Sequence, residues 1–193
     1  MSEYILSEET RDKLRKVSTA SVATALYKRG LRNQFVQGVV PVERKAVTMV
    51  GQAFTLRYIP AREDRNPIAV FRDRDHKQRV AVETCPEGHV LVMDARKDSV
   101  RDAAGIGALD MPAYFARPSA PTNLTLHEAI NINVPIACGD AAVFPGDVML
   151  GDGDGVMVIP AHLADEIAEE CTEMESYEDF VLEQVNGGAG IIG

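Results

Sequence analysis

The sequence predicts an α/β domain, and three observations carry the prediction. Short β-branched runs bounded by Gly, Pro and Asp occupy the middle of the chain. Helical periodicity precedes and follows them, ending in a long amphipathic stretch. Hydrophobic residues make up 46% and charged residues 25% of the 193 residues, the balance of a chain that buries its own core. A chain of this size buries roughly 70% of its unfolded surface, so no disulfide or metal staple is required.

The elements follow in order. Ser7 suits the N-cap of a first helix, with Glu8 and Glu9 at its positive end. A second helix starts near Ser18 or Ser21 and runs through Val22, Leu26 and Tyr27. Lys28 and Arg29 fit its last turn and Gly30 its left-handed C′ position. Residues 50–59 read as a strand opened by Gly51. A charged stretch over residues 61–77 reads as an exposed excursion, and residues 80–84 as a short helix ended by Cys85 and Pro86. Strands are expected at 89–93 and 113–115, and a short helix at 124–130. Residues 134–159 are β in character, with strands at 134–137, 141–144, 148–150 and 156–159. From Ala161 to Val185 an apolar stripe of Leu163, Ile167, Cys171, Met174, Tyr177 and Val181 recurs every three or four residues, with nine acids on the remaining surface. One domain spanning 1–193 is expected, with N-terminal helices over 1–30 and the acidic C-terminal helix over 161–185.

Charge is uneven. Residues 118–193 carry 14 acids and no base, while the first 117 carry all 20 bases and 15 acids. The bases are interleaved with acids and the net charge is −9, which argues against nucleic-acid binding and for attraction between the two halves, within or between subunits. No apolar run approaches the roughly 20 residues of a membrane span, and the first residues lack a signal-peptide stretch, so the cytoplasm is the expected location. Cys85, Cys138 and Cys171 are odd in number and far apart, and read as buried or half-buried free thiols.

Most chemistry-bearing motifs are missing. The four His residues, at 76, 89, 127 and 162, share no helix face, and neither a GxSxG elbow nor a GxxxxGK loop occurs. Gly151-Asp152-Gly153-Asp154-Gly155 looks like half a calcium loop, but the downstream Glu is missing and strands flank it closely, so a tight turn is favoured. Arg101-Asp102 is the remaining candidate. An Arg can hold a carboxylate bidentately while the adjacent Asp ligates a hard divalent cation, although by composition alone such a pair is more often a surface ion pair.

The run from Asn133 to Pro160 supplies a context. Asn133, Val134, Pro135, Cys138, Gly139, Pro145, Gly146, Asp147, Gly151, Asp152, Asp154, Gly155 and Pro160 fall in register with the late signature of the RraA-like, 4-hydroxy-4-methyl-2-oxoglutarate aldolase family. Ser18-Thr19-Ala20, Gly51-Gln52-Ala53-Phe54-Thr55 and the strand from Gly88 to Asp94 agree, so the resemblance covers nearly the whole chain. It implies a swivelling β/β/α domain assembled as a homotrimer or homohexamer. It also implies class II aldol cleavage of a small 4-hydroxy-2-oxo acid to pyruvate, with oxaloacetate decarboxylation through the same enolate. In that scheme Asp102 holds Mg²⁺ (or Mn²⁺), mostly through waters, and Arg101 grips the pyruvyl portion as the substrate-binding and catalytic residue. Other members resemble a non-catalytic regulator that binds a ribonuclease or helicase, which is the alternative.

One departure stands out. The family places a Gly and an acidic residue roughly twenty positions before the Arg-Asp pair, on a crossover helix whose N-terminal amides bind the substrate carboxylate. Here Asp94 is followed by Arg101 after only seven steps, too few for a crossover, and Asp98 is too close to take the distant acid's role. Roughly 25 residues are therefore expected to be missing before Arg101, by deletion or by omission of a segment the whole protein has.

Overall fold

A computed structural model describes residues 4–43, 48–94 and 100–190. Two short helices open it. Helix α1 (Glu8–Leu14) is capped by Ser7, whose hydroxyl accepts from Thr10 N at 3.1 Å. Helix α2 (Thr19–Lys28) is capped by Ser18, which accepts from Ser21 N at 3.1 Å. Gly30 follows at φ +80°, its N–H bonding Tyr27 O while Leu31 N bonds Leu26 O, the paired closure that a left-handed residue permits. Both caps and the glycine stop are as the sequence predicts.

The main sheet has five strands. β2 (Met49–Pro60) is its spine; the earlier β1 (Val40–Pro41) pairs instead with β4 (Tyr114–Phe115). On one side β2 pairs in parallel with β3 (His89–Asp94), reached through residues 61–88. That crossover contains a 3-10 turn (Ile68–Arg72) and α3 (Lys77–Thr84). The start of β2 also pairs antiparallel with β8 (Val148–Gly151), and its end with β5 (His127–Ile132). β9 (Val156–Ile159) completes the order beside β8, and β6 (Ile136–Cys138) with β7 (Ala141–Val143) forms a separate ribbon. α4 (Ala103–Gly107) and α5 (Ala164–Asn186), the latter entered through a 3-10 turn, complete the chain.

β8 and β9 read as unbroken apolar runs because both faces of the sheet are covered. Val148, Leu150, Met157 and Ile159 point at α1, α2 and α5, packing with Leu14, Val22, Leu26 and Ile167. Met149, Val156 and Val158 point the other way, onto Val36, Ile136, Ala141 and Val143. Each such fully buried aliphatic side chain is worth roughly 1.5–3 kcal/mol in removed surface. The attraction expected between the chain's halves is present: Lys28 pairs with Glu170 at 2.8 Å, Arg29 with Glu166 at 2.6 Å, and Lys13 with Glu169, all bringing N-terminal bases onto α5.

Two expectations need correction, and α5 adds a detail. Residues 124–130 are not helical: a 3-10 turn (Asn123–Thr125) leads into β5, because Ala129 and His127 alternate inward and the edge of β2 offers a ladder. The strand placed at 134–137 starts later, at Ile136, since Asn133 is left-handed (φ +54°) and gives its N–H to Thr55 O. The apolar stripe of α5 is fully buried only as far as Cys171; Met174 and Val181 are half-buried and Tyr177 is exposed.

Candidate active site

The Gly-Asp run is a turn. β8 and β9 pair up to Gly151 and Val156, and Asp152 N bonds Gly155 O at 3.0 Å. The Asp152 carboxylate accepts from Thr19 N at 2.8 Å, Thr19 Oγ1 at 2.9 Å and Asp154 N at 2.9 Å, so it closes the turn and sits at the positive start of α2. Gly151 is required by close approach: a Cβ there would lie 2.7 Å from the Tyr114 ring, whose hydroxyl donates to Asp152 O. Asp147 likewise serves the chain, accepting from Phe144 N and Ala161 N, and burial raises its carboxyl above the usual range.

Arg101 and Asp102 are presented differently. Val100 forms an isolated parallel bridge with Pro118, which fixes the backbone just before them. Asp102 then turns left-handed (φ +59°, ψ +39°) at the start of α4 and makes no capping bond. That conformation costs a non-glycine residue roughly 1 kcal/mol, and Asp tolerates it better than most. Its carboxylate lies 3.6 Å from Arg101 Nε, and the two side chains are 80% and 58% exposed. Asp98 lies outside the described residues.

The fit to a divalent cation is sparse. Among the described residues no three His, Cys, Asp or Glu side chains cluster as a ligand set. Mg²⁺ can be held by one carboxylate with waters and substrate oxygens completing its shell, and Asp102, exposed and paired with Arg101, offers one such hard donor. Burial, then Asp94, pushes Cys138 up to about 11; burial, then Glu170 and Glu175, pushes Cys171 up to about 12; burial raises Cys85.

Polar residues that the sequence reading did not single out hold the frame. Arg11 donates from Nη1 to Val50 O and Gly88 O, clamping the start of β2 to the turn before β3. Gln52 accepts from Leu6 N and donates to Tyr4 O and Gly146 O, tying the N-terminus to the sheet. An Arg on an amphipathic helix looks like any solvated charge, so nothing in the sequence flags Arg11.

A sheet with helices on one face, ribbons on the other, and an Arg-Asp pair at a kink defines a mixed α/β domain with a sparse candidate site. The chain belongs to the RraA-like family: its model, described as Aldolase/RraA, matches residues 19–99 and 97–158. A protein of Halalkalibacterium halodurans named "Putative 4-hydroxy-4-methyl-2-oxoglutarate aldolase" is 29% identical over 117 residues, covering 48% of this chain and 56% of that protein. An uncharacterized protein of Methanocaldococcus jannaschii is 35% identical over 91 residues, covering 46% and 42%. The chain thus spans about half the length of the curated relatives it matches.

Solved structures share the fold. Streptomyces coelicolor RraAS2, described as an unusual member of the RNase ES inhibitor RraA protein family, superposes with a TM-score of 0.76 at 23% identity, over 91% of this chain and 96% of that one. An uncharacterized protein from Pseudomonas syringae pv. tomato gives 0.81 at 19% identity, over 98% and 94%. The fold is therefore the α/β fold of RraA proteins, with the long C-terminal helix present.

The comparisons also bear on the short link before Arg101. The two matched stretches of the family model meet at residues 97–99. The 117 residues aligned with the H. halodurans protein take in only 48% of these 193, so about two dozen aligned positions have no counterpart here.

Proposed function

We propose that this chain is a divalent-metal-dependent carbon–carbon lyase that releases pyruvate from a small 4-hydroxy-2-oxo acid, with oxaloacetate decarboxylation as a second activity. The observation that carries this reading is the Arg101-Asp102 pair, an exposed carboxylate and guanidinium ion-paired at a left-handed kink. Membership of a family that includes a protein named as an aldolase supports the reaction class. Arg101 would grip the substrate carboxylate through its planar fork. Asp102 would hold Mg²⁺ or Mn²⁺, whose chemistry when bound is Lewis-acid stabilisation of charge on the 2-oxo oxygen. The left-handed turn at Asp102 keeps the two side chains adjacent, so one small acid can meet both. The reading includes one domain over 1–193, a homotrimer or homohexamer, and a cytoplasmic location. No helix of the described residues is long and apolar enough to cross a membrane.

A specific observation favours a second reading, a non-catalytic regulator that binds a ribonuclease or another protein. The six residues between Asp94 and Arg101 in the sequence are too few for a crossover, and so for the carboxylate-binding nest and the distant acid that the family places on it. Coupled detection of pyruvate from 4-hydroxy-4-methyl-2-oxoglutarate and from oxaloacetate, with Mg²⁺ and then with a chelator, separates the two. Chelator-sensitive release supports the lyase, and a folded chain that releases none with either substrate leaves the regulator.

A further inference from the structure

Backbone bonds on both sides of Val100 bring a second arginine beside Arg101. Val100 N donates to Arg117 O at 3.1 Å, and Val100 O accepts from Ser119 N at 3.1 Å, the two bonds of a parallel bridge centred on Pro118. A proline fits there because the bridge takes nothing from its nitrogen, and it holds Arg117 in extended backbone. Side chains alternate along extended backbone, so Arg117 and Ser119 face the side opposite to Val100 and Pro118. Arg101, the residue after Val100, faces that same side. Ser119 stands opposite Arg101. Arg117 lies on the diagonal, at a Cα separation of roughly 8 Å for strands about 4.8 Å apart that rise about 3.3 Å per residue.

The two arginines differ in their partners. Arg101 has the Asp102 carboxylate 3.6 Å from its Nε. Arg117 is exposed and makes no ion pair among the described residues, although it is the last base of the chain and 14 acids follow it. Two guanidiniums against one carboxylate leave this rim at a net +1 before any cation binds. An acid with one carboxylate, gripped by Arg101, would leave Arg117 unmatched. A short acid with a carboxylate at each end would meet both planar forks.

We propose that Arg117 holds the far carboxylate of the substrate, so that the site selects 2-oxo acids with two carboxylates over those with one. The inference rests on the reading of Arg101 as the group that grips the 2-oxo acid end, and it gives Arg117 a part in specificity rather than in bond cleavage.

Binding of unreactive ligands tests it without turnover. 2-Oxoglutarate and 2-oxopentanoate share one carbon chain and differ at its far end, a carboxylate in the first and a methyl in the second. Neither carries the 4-hydroxyl that aldol cleavage needs. Isothermal titration calorimetry of the full-length parent in Mg²⁺ should show 2-oxoglutarate binding roughly tenfold or more tighter, the scale of one charge-assisted hydrogen bond. Arg117→Ala should erase that preference, and Arg117→Lys, a point charge without the fork, should keep part of it. Arg101→Ala should weaken both ligands. Both arginines are exposed, so circular dichroism and thermal midpoints of the variants should match the parent. Equal affinity of the parent for the two ligands, or a preference that survives Arg117→Ala, overturns the role of Arg117; if Arg101→Ala still weakens both, the reading of Arg101 stands. A parent that binds neither ligand, or an Arg101→Ala chain that binds both like the parent, overturns the shared site and the place of Arg117 in it.

Discussion

Replacing Asp152 by alanine separates a structural turn from a cation site. Its carboxylate accepts three hydrogen bonds of 2.8–2.9 Å, two of them from Thr19, a buried residue at the start of α2. Alanine leaves those donors without their acceptor and removes a negative charge from the helix N-terminus. The combined cost is about 2–3 kcal/mol, at the level of a lost cap plus a charge-assisted bond. Asparagine keeps one acceptor oxygen in place and should cost roughly 1 kcal/mol. In a chain of this length each kcal/mol moves the thermal midpoint by about 2–4 °C, so Asp152→Ala should melt roughly 4–12 °C lower. Urea denaturation measures the free-energy cost and thermal melts the midpoint, both followed by circular dichroism with and without Ca²⁺. A loss below about 0.5 kcal/mol, the usual span of a neutral surface change, would refute the capping role. So would stabilisation of the parent by Ca²⁺ that vanishes in Asp152→Ala.

Further outcomes follow from packing and charge. Gly151→Ala should cost about 1–3 kcal/mol by overpacking against Tyr114, and Tyr114→Ala in the same chain should recover part of it, read from a double-mutant cycle in urea. Lys28 and Arg29 hold the Glu170 carboxyl below its usual range. Its ionised form therefore favours the folded state, fully so above the ordinary Glu value and progressively less as pH falls through the lowered one. Glu170→Gln should lower stability by at most about 1 kcal/mol at neutral pH, converging with the parent in strong acid, in melts taken across pH. The three thiols, each raised by burial, should react with a disulfide reagent at neutral pH far more slowly in the native chain than in urea.

The fold was legible where local chemistry and tertiary packing agree. Ser7, Ser18 and Gly30 mark helix ends by backbone requirements that no packing alters, and the apolar runs of β8 and β9 match a sheet covered on both faces. Residues 124–130 were not legible, because Leu124, Ala129 and Ile130 suit a helix as well as a strand until the edge of β2 is there to pair with. The stripe on α5 showed its periodicity but not its cover: Ile167 and Tyr177 obey the same spacing, and only the structure separates the buried turn from the projecting one. The candidate site was legible as a dipeptide in register, since Arg101-Asp102 stands out only beside the Asn133–Pro160 run. What Asp102 does with its backbone was not, because a left-handed aspartate has no signature in composition. Arg11 and Gln52 act across 39 and 46 positions of chain, and no local pattern reports such bonds.

The most direct test of the central claim is the rate of pyruvate release from oxaloacetate by the parent and by Asp102→Asn, each of verified mass and fold, at saturating Mg²⁺. The account predicts release by the parent and a loss of roughly a hundredfold or more in the variant, the scale of removing a group that stabilises developing charge. Equal rates in parent and variant would contradict the assignment of Asp102.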